Sequence, residues 1–273
     1  DREGKQKYFL RGNMLENPAG NYVFSLRPDS LRLNYKKWSV NPRNKIMFGK
    51  NGIVAQDFIL SQESQSLSIR SQSSSPSSPL LLQFSDFQIS TITGFVQTDS
   101  LLVNGLLNGD ATIKNLQTQP TFVANLSIKD LSIYQDTLGV LTAKVNNETA
   151  NQYHASITLN GHGNDIAING DYFVKPKNSS FDFVIDINKF AMQSLEGLSN
   201  GAIRNGRGFV YGKIKVNGNL ENRNIDGRLQ FDNTFFVPAK LNNVFKIDKE
   251  AIAIINNEGV LFNSFTIRDT ANN

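Results

Sequence analysis

Residues 181–197, FDFVIDINKFAMQSLEG, change rhythm partway along. Phe181, Phe183, Ile185 and Ile187 take alternate positions, while Asp182, Asp186 and Asn188 share the other face with Val184. A period of two predicts a strand with one apolar face. From Phe190 onward the apolar residues come at wider steps, Met192, Leu195 and Leu198, which predicts a short amphipathic helix near 190–198. Alternation recurs elsewhere: Ala155, Ile157, Leu159; Ile166, Ile168; Ile214, Val216; Leu261, Phe265, Ile267. Glycines and Asn-rich turns separate these runs at intervals suited to a meander of hairpins.

The strand-to-helix stretch has a counterpart in PLLLQFSDFQISTITG, at 79–94. Phe87 aligns with Phe190, Ile89 with Met192, Ile92 with Leu195 and Gly94 with Gly197, at one offset (190 − 87 = 103). The same offset carries Gly105 and Gly109 onto Gly208 and Gly212, and Ala124, Leu126 and Ile128 onto Gly227, Leu229 and Phe231. Spacing kept over this length predicts an internal duplication with a unit of about one hundred residues. Ahead of each copy, VAQDFILSQESQSLSIRS at 54–71 and YHASITLNGHGNDIAING at 153–170 both read as strand, turn, strand. Each then enters a polar break, SQSSSPSSP or VKPKNSS. The expected organisation is the later part of one β repeat over 1–78, a complete repeat over 79–181 with a helix near 87–95, and a further repeat over 182–273 with a helix near 190–198.

A sheet that is apolar along one whole face must bury it. Each large side chain left in water forfeits roughly 1.5–3 kcal/mol. One short helix per unit is too little cover, so three solutions remain open: a second sheet, a closed barrel, or a hydrophobic ligand.

Composition narrows the chemistry. The chain has 273 residues and no cysteine, which excludes disulfides, zinc–thiolate sites and thiol nucleophiles. A net charge of +4 is mild, and Lys and Arg are scattered, so no basic face for nucleic acid emerges. The longest apolar runs, PLLL and AIAII, are too short for a membrane-spanning helix, and no signal-peptide pattern opens the chain. The start without Met and the end at RDTANN, just after a strand-like run, read as a segment of something longer. His154 and His162 flank an Asn-Gly-rich turn and read as surface residues; Asp182 and Asp186 read as a solvated strand face, and Trp38 as packing. No set of acid, base, nucleophile or metal ligands clusters, so neither an enzyme nor a cofactor or metal site is expected.

The order of FDFVIDINKFAMQSL, GFVYGKIKVNG and GRLQFDNTFFVPAKLNNVFKIDKEAIAIINNEGVLFNSFTIRD resembles the TamB-type translocation and assembly module family, in its Bacteroidota-like versions, within the AsmA-like, bridge-like group. GLLNGDATIKN followed by FVANLSIKDLSIYQDTLG, and WSVNPRNKIMFGKNGIVAQDFIL, fit the same pattern. The resemblance implies a mostly β fold: an elongated, curved, taco-like sheet of ~100-residue repeats, each with one short helix, enclosing an apolar groove. It implies that Leu82, Phe84, Phe122, Leu126, Ile128, Ile157, Leu159, Ile166, Ile168, Phe181, Phe183, Ile185, Ile187, Ile214, Val216, Leu229, Phe231, Leu261, Phe265 and Ile267 line a trough for phospholipid acyl chains. It further implies a periplasmic protein anchored in the inner membrane by an N-terminal helix absent from this chain. Its outer-membrane partner would be a TamA- or BamA-type barrel, and its roles lipid transfer and outer-membrane protein assembly or secretion. The alternative is a structural or adhesive repetitive β surface protein without lipid transport. Separately, Asp-[Ser/Thr]-apolar triplets at Ser30, Ser100, Thr137 and Thr270 resemble the periplasmic O-glycosylation acceptor of Bacteroidota.

Overall fold

The computed structural model describes residues 6–93, 103–118, 120–134, 136–149, 151–263 and 267–269. The expected sites at Ser100, Phe265 and Thr270 lie outside these residues. Among the described residues the protein is mostly β, with twenty strands joined in one antiparallel sheet. In chain order they are β1 (Phe9–Glu16), β2 (Tyr22–Leu33), β3 (Lys36–Val40), β4 (Lys45–Gly49), β5 (Gly52–Gln56), β6 (Phe58–Gln62), β7 (Gln65–Ser71) and β8 (Leu80–Gln88). After a turn of helix, α1 (Ser90–Thr93), come β9 (Val103–Lys114), β10 (Thr121–Ile133), β11 (Asp136–Thr149), β12 (Gln152–Gly161), β13 (Asn164–Phe173) and β14 (Ser180–Ala191). A 3-10 turn (Met192–Ser194) and α2 (Leu195–Leu198) lead into β15 (Ile203–Asn219), β16 (Arg223–Pro238), β17 (Phe245–Ile247), β18 (Ile252–Asn256), β19 (Gly259–Asn263) and β20 (Ile267–Asp269). Two compact units result, dividing within β10 and β11; the first holds β1–β8 and most of β9, the second β12–β20.

The first unit closes a core. Asn34 and Tyr35, both at positive φ, make the two-residue turn that folds β3 back on β2, so that Leu31 pairs with Trp38. The first part of β2 pairs instead with β4, Tyr22 opposite Phe48. Between these two pairings, the Asn44 side chain accepts from the Leu26 amide at 2.7 Å and donates to its carbonyl at 2.9 Å, standing in for a strand partner. Leu26, Leu31, Trp38, Val40, Phe58, Leu60 and Phe87 are buried together, Trp38 at 1 % exposure.

The second unit has an apolar sheet face that is half-buried over much of its width. Strands β12 to β16 form consecutive antiparallel pairs, and β18 and β19 extend them from β16. Register aligns Ile157, Ile168, Ile185, Ile214, Gly227, Ile255 and Val260 in one row across seven strands. A second row runs Leu159, Ile166, Ile187, Gly212, Leu229, Ala253, Phe262. The opposite face carries Thr158, Ala167, Asp186, Lys213, Arg228, Ile254 and Leu261 in register. In these rows Ile157, Ile168, Ile185 and Ile214, and Leu159, Ile166 and Ile187, are all half-buried.

The strand-to-helix junctions differ from the sequence expectation by a few residues. Phe190 and Phe87 are strand residues, and the helical turns begin at Met192 and Ser90. The change of rhythm at Phe190 marks a β-bulge: Ile187 faces Gly212 and Phe190 faces Val210, so Asn188 and Lys189 together oppose Tyr211. The extra residue keeps Phe190 on the apolar face despite the switch from odd to even numbering. In the first unit Phe84 faces Gly109 and Phe87 faces Leu107, so Ser85 and Asp86 oppose Asn108. Both Asp130 and Asn233 have positive φ.

Candidate functional site

The second unit's apolar rows end in a hollow of about 520 Å³. Its lining is apolar throughout: Ile187 and Phe190 from β14, Met192 and Leu195 from the helical turns, Ile203 and Val210 from β15, Leu229, Phe231 and Phe236 from β16, Ile247 from β17, Ala253 from β18, and Val260 and Phe262 from β19. Met192, Val210, Phe231, Ile247 and Ala253 are buried and form the floor. Val260 and Phe262, 50 % and 54 % exposed, form an open rim. Ile187, Leu229, Ala253 and Phe262 belong both to the hollow and to the second apolar row, so the two surfaces are continuous. This volume lies within the ~300–1,000 Å³ typical of ligand pockets, and an apolar lining of this kind favours hydrocarbon over water.

Several positions expected in a trough are on this surface. Ile157, Leu159, Ile166, Ile168, Phe183, Ile185, Ile187, Ile214, Val216 and Leu229 share its face by register, and Phe181 follows them, opposite Tyr172 and Gly218. Phe231 lies in the floor of the hollow. Leu261 differs: it pairs with Ile254, on the face bearing Lys213 and Arg228. The run Val260-Leu261-Phe262 is apolar at every position, so its alternation has no phase of its own, and pairing with β18 turns Val260 and Phe262 inward. Ile267 pairs with Ile247 on β20. In the first unit, Phe84 packs against the closed core around Trp38, while Leu82 is half-buried between Ile69 and Ala111. On β10, Leu126 and Ile128 are half-buried and Phe122 is exposed.

The polar candidates are dispersed. Ser30 is buried, its hydroxyl 2.9 Å from the Arg27 carbonyl and 3.2 Å from that of Arg11; Thr137 is half-buried on β11. His154, read from sequence as a surface residue, is exposed and has Asp171 at 3.1 Å across the β12–β13 pair. His162 is exposed in the turn beyond β12. Among the described residues no group of three or more His, Asp or Glu side chains is placed to hold a metal, and no helix is long and apolar enough to cross a membrane.

Two residues not singled out in the sequence hold the junctions. Asn164 is 5 % exposed; its Oδ1 accepts from the Ala191 amide at 3.0 Å, and its Nδ2 donates to the Leu138 carbonyl at 2.8 Å. Gln65 in the first unit plays a similar part, its Oε1 accepting from the Gln88 amide at 3.0 Å. In sequence each is one polar residue beside a turn, without any pattern that marks it as buried.

Comparison with family models finds no match, and comparisons with curated proteins and with solved structures find none either.

Proposed function

We propose that this chain is a segment of a TamB-like, periplasm-spanning protein that shields phospholipid acyl chains between the inner and outer membranes. The observation that carries the reading is the half-covered apolar surface of the second unit, seven strands wide and continuous with an all-apolar hollow. Hydrocarbon lying on these rows avoids water at about 0.8 kcal/mol per CH₂, while the head group stays in water; no residue performs chemistry. Assembly or secretion of outer-membrane proteins, a TamA- or BamA-type barrel partner and inner-membrane anchoring complete the proposal and rest on the sequence resemblance alone.

The repeat belongs to the same reading. Phe84 and Phe87 against Gly109 and Leu107 match Ile187 and Phe190 against Gly212 and Val210, each position shifted by 103. A shared bulge at one offset supports a duplicated unit of sheet with a helical turn after the bulge. The copies have diverged in what lies over the apolar face: closed core in the first, open hollow in the second.

A structural β protein without transport is the second reading, favoured by the closed core around Trp38. Lipid extraction from the chain purified in mild detergent separates the two. Co-purifying phospholipid, lost in Ile185→Arg without loss of β signal in circular dichroism, supports transport. Absence of lipid from the folded wild-type protein overturns it.

A further inference from the structure

One wall of the hollow is not sheet. Met192 and Leu195 project from the 3-10 turn and from α2, which together span seven residues, and neither helical turn has a side-chain cap. Segments this short have almost no intrinsic stability, so their position must be imposed from outside. Asn164, the first residue of β13, imposes it. Besides its bonds to Ala191 and Leu138, it engages the hydroxyl of Ser194, 2.9 Å from Nδ2 and 3.2 Å from Oδ1. Ser194 is itself buried, 4 % exposed. The two clamped residues, Ala191 and Ser194, bracket Met192, so a single buried amide ties β11, β13 and the end of β14 to the residue at the hollow's inner wall. Buried amides with every contact satisfied fix geometry closely, because losing one partner leaves the others desolvated and unpaired.

We propose that Asn164 is a positioning residue that sets the length of hydrocarbon chain the hollow accepts. It acts through Ser194 and the Ala191 amide on Met192 and Leu195, and touches no guest itself. The occupant is a single linear acyl chain: the hollow is lined only by apolar side chains, opens at Val260 and Phe262, and runs on into the row of Ile187 and Leu229. This rests on the reading that the apolar surface takes lipid. The inner wall then limits how many methylenes enter, with each methylene gained or lost changing affinity about fourfold.

The test titrates the full chain with a homologous series of saturated fatty acids, octanoate to stearate, by displacement of a fluorescent fatty acid. Wild type is expected to show an optimum in chain length. Met192→Ala, which shortens the wall directly, moves that optimum to longer chains. Asn164→Ala moves it the same way or flattens it, and frees the Ala191 amide to exchange with solvent. Ser194→Ala keeps the Ala191 and Leu138 bonds and gives a smaller shift; it carries the test if Asn164→Ala fails to fold. An unchanged profile in the folded Asn164 variant, whether or not the Ala191 amide is freed, overturns the proposal while leaving lipid shielding intact. No binding of any fatty acid by wild type overturns both.

Discussion

Trp38 and Phe87 meet with ring centroids 5.6 Å apart and planes inclined at 48°. This pair fills the space over the first unit's bulge, where the second unit has Phe190 at the edge of a hollow. A large indole supplied by the β2–β3 hairpin therefore accounts for one unit being sealed. Trp38→Ala is expected to remove about 3–5 kcal/mol from the stability of the first unit, measured by urea denaturation with far-ultraviolet circular dichroism. A loss below about 1 kcal/mol would mean that the core closes without the indole.

Ile185 and Phe231 lie on the same apolar face but differ in cover. Phe231 is 9 % exposed in a packed cluster, whereas Ile185 is half-buried in mid-row. Phe231→Ala is expected to destabilise by about 3–5 kcal/mol. Ile185→Arg is expected to remain folded with a loss no greater than roughly 3 kcal/mol, since the long side chain lies along the surface with its charge in water. If Ile185→Arg unfolds the second unit, its rows are sealed core and lipid shielding fails with them.

Gly208 sits at a register shift between β15 and β16, where Arg207 faces Phe235 and Phe209 faces Asp232. Its φ of +85° suits glycine, and an added Cβ would collide with the Asn233 carbonyl. Gly208→Ala is therefore expected to cost about 1–3 kcal/mol, read as a fall in the midpoint of thermal unfolding. Gly201, also at positive φ but with open space around it, gives a smaller loss on the same substitution.

Lys213 Nζ lies 2.8 Å from Asp186 Oδ1 on the outer face of the β14–β15 pair. Both side chains are partly exposed, so a double-mutant cycle with Lys213→Met and Asp186→Asn is expected to give a coupling of only about 0.2–1 kcal/mol, shrinking in high salt. A coupling of several kcal/mol, insensitive to salt, would contradict the solvated character of this face.

Local alternation made much of the second unit legible. Phe183, Ile185 and Ile187 announce both their strand and its inward face, and the rows from Ile157 to Ile214 follow. Features set by long-range register were not legible. The step from Ile187 to Phe190 looks like the onset of a helix because one strand alone cannot show that its partner advances by two residues while it advances by three. Val260-Leu261-Phe262 has no polar residue to fix its phase. His154 and Asp171 are far apart in sequence and meet only through hairpin pairing. Asn164, within HGNDIAING, looks like any turn asparagine until burial reveals its partners. Above all, nothing in the spacing of Phe87 and Phe190 tells which will be covered by a tryptophan from another hairpin.

The doubled residues opposite Tyr211 act as a half-step gear in β14. Deleting either Asn188 or Lys189 would leave one residue opposite Tyr211 and restore plain alternation, with Phe190 still opposite Val210 on the apolar face; only the bend and extra twist of the bulge would go. Removing one residue from the evenly paired run between Phe181 and Ile187, by contrast, turns the side chains on one side of the gap to the opposite face, so this strand tolerates a lost residue at the bulge far better than anywhere before it.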